Sequence, residues 1–391
     1  MRLLLTSDWH LGKNLYQQKL LSKQAKFFLE TFIPLLRDLS PDALLVAGDI
    51  LDKPIPDQET LFFFEEFLKE LASLKIPSFF ILGNHDSRRT ALHKYFLELA
   101  FIYIVDDLRF FLQPFKLKTE KGEGLNLYLL PYLPAFELLE KIPPLKQGLT
   151  SWHSITLREI LVYLLERMEL ERPAFLMGHF ALERGIFSGE EINLRGLSND
   201  YLLPAELFLS FDALLLGHLH RSQVHQGKFI YPGAPLPYAF ETYGEERGVL
   251  LLEVKERTIQ HQELIPLSPT YELKLLQGTF ETLMSLPPTK AFVKILLEDE
   301  EPIYQVHQKL KTKFPNILYL DYVRNQGEIS KEVYSYEEPV VEEMKFDERE
   351  LFKEFYFFLE KREPEERVWK VFETYLEEFY KKEREEGRLC Q

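Results

Sequence analysis

A single cysteine, Cys390, stands next to last in this chain of 391 residues. It can staple nothing within the chain, so a disulfide framework and a cysteine-held zinc site are both excluded, and a reducing compartment is the natural setting. Basic charge is also scarce: 47 Lys and Arg face 62 Asp and Glu, a formal net charge of −15. That excludes an overall basic field of the kind that draws in nucleic acid. No run approaches the ~18 uninterrupted apolar residues of a membrane span. The opening Met1-Arg2-Leu3-Leu4-Leu5 turns polar at Thr6-Ser7-Asp8, too soon for a signal peptide. A soluble cytoplasmic protein without membrane association is the expectation. Hydrophobic residues at 46% and charged residues at 28% fit a globular chain that buries a real core. The length suits two or three domains.

Short apolar runs alternate with segments of helical period across residues 1–265, the pattern of a layered α/β domain. Leu3 to Thr6, Ala43 to Ala47, Phe79 to Leu82, Ala174 to Met177 and Ala213 to Leu216 are the clearest strands. Phe229 to Tyr231 and Val249 to Val254 look like strands closing the domain. Between the first two, Leu21 to Leu36 carries helical spacing. Gln58 to Leu74 is a helix with Leu61, Phe64, Phe67, Leu68 and Leu71 on one face. Phe62 and Phe63 widen that face, which admits burial on two sides or a self-association surface.

Residues 270–335 restart the pattern as a small domain of strand–helix–strand–helix–strand order, and Glu337-Glu338-Pro339 ends it. Residues 340–391 read as two amphipathic helices. Asp347 caps the first, with Phe346 and Leu351 as a staple, and Pro364 starts the second. From Glu337 onward 18 acidic residues face 11 basic ones, so this is the more acidic part of the chain per residue. A hairpin packed on its own body and a docking surface for a partner helix both suit it.

Five short motifs fall where apolar runs end, which in an open α/β sheet is the carboxyl edge where ligands bind. They are Asp8-Trp9-His10, Gly48-Asp49 with Asp52, Gly83-Asn84-His85-Asp86, Gly178-His179, and Gly217-His218-Leu219-His220. Each alone is an ordinary loop. Together they gather five of the chain's ten histidines, whereas His93, His153, His225, His261 and His307 lie in no such context. Imidazole and oxygen donors in this mixture suit borderline divalent metals such as Mn²⁺, Fe²⁺ or Zn²⁺.

In order and chemistry these motifs resemble the calcineurin-like metallophosphoesterase family, whose pattern D-x-H, G-D-x-x-D, G-N-H-D/E, G-H, G-H-x-H is matched without a gap over about the first 235 residues. The resemblance implies a sandwich of two central sheets flanked by helices. It implies that Asp8, His10, Asp49 and His220 hold one metal and Asp49, Asn84, His179 and His218 the other, with Asp49 bridging. It leaves His85 facing the substrate as a catalytic residue, and Asp52 as the acid that orients it. Asp86 has a plainer reading as a loop or helix cap.

Within that family the chain is most similar to the nuclease subunits that work with a coiled-coil ATPase. Gly217-His218-Leu219-His220-Arg221 followed by Tyr231-Pro232-Gly233-Ala234-Pro235-Leu236 looks like their signature. The small α/β segment sits where they have a DNA-capping domain, and the two tail helices where they dock the ATPase. This resemblance implies a Mn²⁺-dependent nuclease, 3′-to-5′ exonuclease on duplex DNA ends and endonuclease on single strands and hairpins. It implies a homodimer, formed near Gln58 to Leu74 and Ala91 to Ile104 and clamped by two ATPase subunits. Arg88-Arg89 or Lys116, Lys118 and Lys121 could touch the DNA backbone, or form a solvated face. A phosphoesterase for a small cyclic nucleotide or a phosphoprotein is the rival within enzymes; it needs neither capping domain nor tail. A scaffold that only regulates an ATPase is the rival outside them; it would be expected to lose ligands, and none is missing.

Overall fold

The computed structural model describes residues 1–87, 94–119, 122, 124–133, 156–183, 185–186, 202–242, 244–255, 257–323, 349, 353 and 363–373. The chain divides into two compact units, Met1–Ile329 and Ser330–Gln391.

Two six-stranded sheets lie at the centre of the first unit. In one, β1 (Arg2–Thr6), β4 (Ala43–Ala47), β5 (Ser78–Ile81) and β6 (Ile102–Val105) run parallel, and β15 (Gly248–Lys255) and β16 (Thr258–Pro266) continue it antiparallel beyond β1. In the other, β8 (Gly124–Leu130), β9 (Ala174–His179), β12 (Ala213–Gly217) and β14 (Phe229–Tyr231) are parallel. β7 (Phe115–Lys118) and β13 (Gln223–His225) pair antiparallel at its two edges.

The near-continuous apolar runs are explained by burial on both faces. Leu3, Leu5, Leu45, Phe79 and Ile81 of the first sheet meet Leu127, Leu129, Phe175, Met177 and Leu215 of the second in one core between the sheets. The alternate residues Leu4, Leu44, Val46 and Phe80 face outward into a layer of helices, and Leu176, Leu214 and Leu216 do the same on the other side. Helix, sheet, sheet, helix is the layer order, as the family resemblance implies.

The first helical segment departs from the single helix its periodicity predicts. It runs as Leu21–Phe27, a π-helical stretch Phe28–Phe32, and Ile33–Leu39. Pro34 has no N–H for the ladder, and the turn before it widens so that Ile33 N–H reaches Phe28 O. Phe28 and Phe32 both enter the core as a result. The Gln58–Leu74 helix, capped by Asp57, buries Phe63, Phe64, Phe67, Leu68 and Leu71, whereas Phe62 is 62% exposed.

Two small strand pairs complete the body: β2 (Asn14–Leu15) with β3 (Gln18–Lys19), and β10 (Ala181–Leu182) with β11 (Leu202–Leu203). A three-stranded parallel sheet of β17 (Leu273–Gly278), β18 (Phe292–Leu297) and β19 (Ile317–Tyr322) follows, with helices Phe280–Ser285 and Val306–Lys311 packed on one face. Leu273 and Phe292 on its other face join the core cluster that holds Trp9, Leu236 and Tyr238. Tyr271 donates to Pro237 O at 2.7 Å and Lys23 lies over the Phe292 ring, so this sheet is seated on the body.

In the second unit, residues 366–373 are helical, and Arg349 and Lys353 pair with Glu373 and Glu363. The tail cap at Asp347, its staple, Arg88-Arg89, Lys121, His93 and His153 lie outside the described residues.

Trp9, fully buried, is ringed by Phe28, Phe32, Phe67 and Phe80 at centroid distances of 4.6 to 5.7 Å. Trp9→Ala is expected to cost about 3–5 kcal/mol in a denaturation series. Phe62→Ala should stay within about 0.5 kcal/mol. Equal costs at the two positions would contradict this account of the core.

Candidate metal centre

Every sequence-predicted ligand leaves the carboxyl end of a parallel strand: Asp8 and His10 follow β1, Asp49 follows β4, Asn84 follows β5, His179 ends β9, and His218 and His220 follow β12. The first three strands belong to one sheet and the last two to the other, so the donors converge where the two sheet edges meet. Glycines end the runs because there is no room for a side chain. A Cβ on Gly217 would lie 1.9 Å from Ala47 O, and one on Gly83 would lie 2.1 Å from Asp49 Oδ1.

The loops are strained. Asp8, His10, Asp49 and His218 all have positive φ, between 44° and 90°, a region that non-glycine residues rarely enter. Main-chain bonds hold them there: Asp8 N–H to Gly48 O, His10 N–H to Asp49 O and Leu11 N–H to Ile50 O, at 2.9 to 3.0 Å. Such strain persists only where the surroundings over-determine it.

Ligand atoms of Asp8, His10 and His220 lie within 4.8 Å of one another, as do those of Asp8, Asp49 and His179. His10 Nε2 is 3.1 Å from His220 Nε2 and 3.6 Å from Asp49 Oδ2. His179 Nε2 is 3.4 Å from Asp49 Oδ1 and 3.0 Å from Asn84 Oδ1, and His218 Nδ1 is 3.1 Å from the same amide oxygen. His179 Nδ1 donates to Ala47 O at 2.8 Å, which fixes the ring and turns Nε2 inward. Four imidazole nitrogens and several oxygens facing one another in a buried space, with no thiolate among the described residues, are a donor set for borderline divalent cations. The residues fit the metals that the family pattern implies.

His85 stands beside this cluster, its ring edge-on to His10 at 4.7 Å. The family pattern assigns Asp52 to orient it, and the two residues are in contact. His85 Nδ1 donates to the main-chain carbonyl of Asp52 at 2.8 Å, and the Asp52 carboxylate lies 3.5 Å from His10 Nδ1 and 3.3 Å from Lys13 Nζ. The carboxylate stays near His85 as well: ligand atoms of His10, Asp52 and His85 lie within 4.8 Å of one another. Of the basic residues considered for DNA contact, Lys116 pairs with Glu171 at 2.6 Å. His225 pairs with Gln223 and joins none of these groups.

Sequence reasoning missed the scaffold behind the ligands. Gln24, fully buried, accepts from Gly12 N–H at 2.9 Å and donates to His10 O at 2.8 Å and to Tyr238 Oη at 3.0 Å. Tyr238 in turn donates to Trp9 O. Asp86, read as a loop cap, accepts N–H bonds from Ile50, Leu51 and Gly83, tying the Asp49 loop to the Asn84 loop. Burial, with the charge of Asp49, pushes its carboxyl up to about 7.

Burial alone would raise the Asp49 carboxyl, but the imidazoles of His179 and His10 outweigh it and hold Asp49 well below the usual carboxylate range. Burial works against charge on His179 too, and Asp49 reverses it, lifting the imidazole to about 9. His218 is pushed down to about 3 by burial and then by the charge of His179. Burial also lowers His10.

Residues 1–222, more than half of the chain, match the family model described as calcineurin-like phosphoesterase. Residues 269–357 match one described as a type 5 capsule protein repressor C-terminal domain. Two curated relatives are named as the SbcD subunit of the nuclease SbcCD. The protein from Staphylococcus epidermidis is 28% identical over 330 residues, covering 83% of this chain and 86% of the relative. The one from Staphylococcus saprophyticus is 27% identical over 327 residues, covering 82% and 84%. A solved dimetal phosphatase from Danio rerio aligns with a TM-score of 0.38 and 12% identity, covering 68% of this chain and 99% of that one, too distant a likeness to carry weight.

The raised His179 value contributes stability that is fully present below pH 6.5 and is lost as pH rises through about 9. A divalent cation must displace that proton. Calorimetry in buffers of unlike ionisation enthalpy is expected to show about one proton released on loading near neutral pH, with affinity rising toward pH 9. Affinity that is flat from about pH 6 to 9, without proton release, would overturn the assignment.

Proposed function

Because this chain belongs to the calcineurin-like phosphoesterase family, we propose that it is the nuclease subunit of an SbcCD-type DNA end-processing and repair complex. In this reading it hydrolyses phosphodiesters of DNA with two Mn²⁺ ions, as a 3′-to-5′ exonuclease on duplex ends and an endonuclease on single strands and hairpins. The observation that supports it most is the full set of nitrogen and oxygen donors at the joined sheet edges, with one histidine standing just outside it.

Asp8, His10, Asp49 and His220 would hold one cation, and Asp49, Asn84, His179 and His218 the other. Bound there, the cations supply Lewis acidity at the phosphoryl oxygens and acidify a water toward neutral pH. His85 does the proton work. Its Nδ1–H is committed to Asp52 O, which leaves Nε2 to hold a proton and deliver it to the departing oxygen. The acidic balance of the chain is compatible with DNA because only local groups need to meet the backbone.

Purified protein with Mn²⁺ is expected to cleave linear duplex, hairpin and single-stranded DNA as well as bis-(p-nitrophenyl) phosphate. His85→Ala should lose on the order of 10²–10⁴-fold in DNA cleavage at unchanged metal content. Cleavage of the small ester alone would replace the DNA reading with a small-substrate phosphoesterase. Full activity in His85→Ala would remove the histidine's role.

For the partners, we assign residues 270–335 to capping DNA, residues 340–391 to docking an SbcC-type coiled-coil ATPase, and the face around exposed Phe62 to homodimer formation. Deleting 340–391 is expected to abolish ATPase docking but leave the dimer, whereas Phe62→Glu should do the reverse. Sedimentation velocity with and without the ATPase reads both. Docking by the truncated chain, or a dimer in Phe62→Glu, would each sink its half of the assignment.

A further inference from the structure

The hairpin of β2 and β3 hangs directly from the ligand loop, since Lys13 N–H bonds His10 O and Leu20 N–H bonds Lys13 O, each at 3.0 Å. Tyr16, just past β2 in this hairpin, has φ +52° and is 46% exposed. The two-residue turn between Leu15 and Gln18 accounts for the left-handed backbone at Tyr16 and sets the residue at the tip of the hairpin. The hydrophobic effect gives no reason to hold an aromatic ring half in water.

The Tyr16 ring meets Tyr319 at a centroid distance of 5.7 Å and an interplanar angle of 38°, and Phe240 at 6.0 Å. Tyr319 is on β19, the edge strand of the small sheet, in register with Lys294 on β18. Side chains alternate along a strand, so Lys294 shares the sheet face of Phe292. Phe292 is buried against the body, whereas Tyr319 is only half-buried. Lys294 Nζ lies 5.5 Å from the Tyr319 ring centroid, and the Tyr319 hydroxyl donates to Asp321 at 2.9 Å, which fixes the ring. On the other side, Phe240 lies two residues beyond Tyr238, whose ring stands 5.7 Å from His10 beneath Lys13 Nζ. Phe240, Tyr16 and Tyr319 thus make successive ring contacts at the edge of the small sheet, with Lys294 over the outermost ring.

Aromatic faces interleaved with cations are the chemistry that binds single-stranded nucleic acid with little regard to base identity. We propose that Tyr16 and Tyr319 form a stacking platform for an unpaired base of the strand being cut, with Lys294 beside its phosphates. The proposal rests on the nuclease reading and deepens it: the strand reaches the metal centre with at least one base unstacked. Duplex ends are then cut after local fraying, and single strands need no fraying at all.

The test uses the full chain in EDTA, so that nothing is cut, and oligothymidylates carrying one 2-aminopurine at successive positions. The fluorescence of that base is quenched on stacking. Wild-type protein is expected to quench it most strongly at one position, and Tyr16→Leu and Tyr319→Leu should abolish that maximum and weaken binding by roughly ten-fold. Tyr16→Phe, which keeps the ring, should restore both. A contact that merely seals the small sheet to the body produces no position-dependent quenching. A wild-type profile without a maximum, an unchanged maximum in Tyr16→Leu, or no oligonucleotide binding because the surface docks a protein, overturns the proposal. Quenching by a protein that cuts no DNA with Mn²⁺ would uphold the platform and reject the nuclease reading. Cutting without a quenching maximum would do the opposite.

Discussion

Asp49 is 2% exposed, a depth at which an isolated charge costs several kcal/mol and would be neutralised by protonation. It stays charged because His179 and His10 stand within 3.4 and 3.6 Å. That single compensation sets the rest of the centre. Asp49 keeps a proton on His179, and the charge of His179 then helps keep one off His218. Burial, and then the charge of Asp49, raise Asp86, which accepts three main-chain N–H bonds. Positive charge brought to this carboxylate relieves every one of these tensions together, which is why a cluster of this kind is built for cations and not for packing.

Strain and support are distributed in the same way. Four ligand candidates sit in left-handed backbone, an arrangement costing of order 1–3 kcal/mol for each residue. The fully buried ring of Trp9, between Asp8 and His10, anchors the first of those loops from behind. Gln24 and Tyr238, 214 residues apart in the chain, close the same loop from the side. Catalytic geometry is thereby held by the core itself, and a defect in packing near Trp9 is also a defect at the metal centre.

The sequence made much of this legible, and for a physical reason. Strands buried on both faces read as uninterrupted apolar runs, and a run that stops at Gly-His or Gly-Asp marks the edge where a side chain cannot fit but a ligand can be presented. Less legible was whatever lies on one exposed face or depends on distant partners. β16 reads Thr258-Ile259-Gln260-His261-Gln262, polar enough to pass for a loop, because its strand is at an edge and mostly exposed. Gln24 looks like any polar helical residue, and only the fold brings it under His10. Asp52 meets His85 through its main-chain oxygen, and its carboxylate lies 3.3 Å from Lys13, an approach that no spacing rule reveals.

The donors are divided between the sheets, with Asp8, His10, Asp49 and Asn84 on one and His179, His218 and His220 on the other. Neither sheet alone carries a whole centre. A newly made or partly unfolded chain, in which the sheets have formed but not yet docked, therefore has scattered histidines and no hydrolytic site. Assembly of the site and consolidation of the core between the sheets are therefore one event.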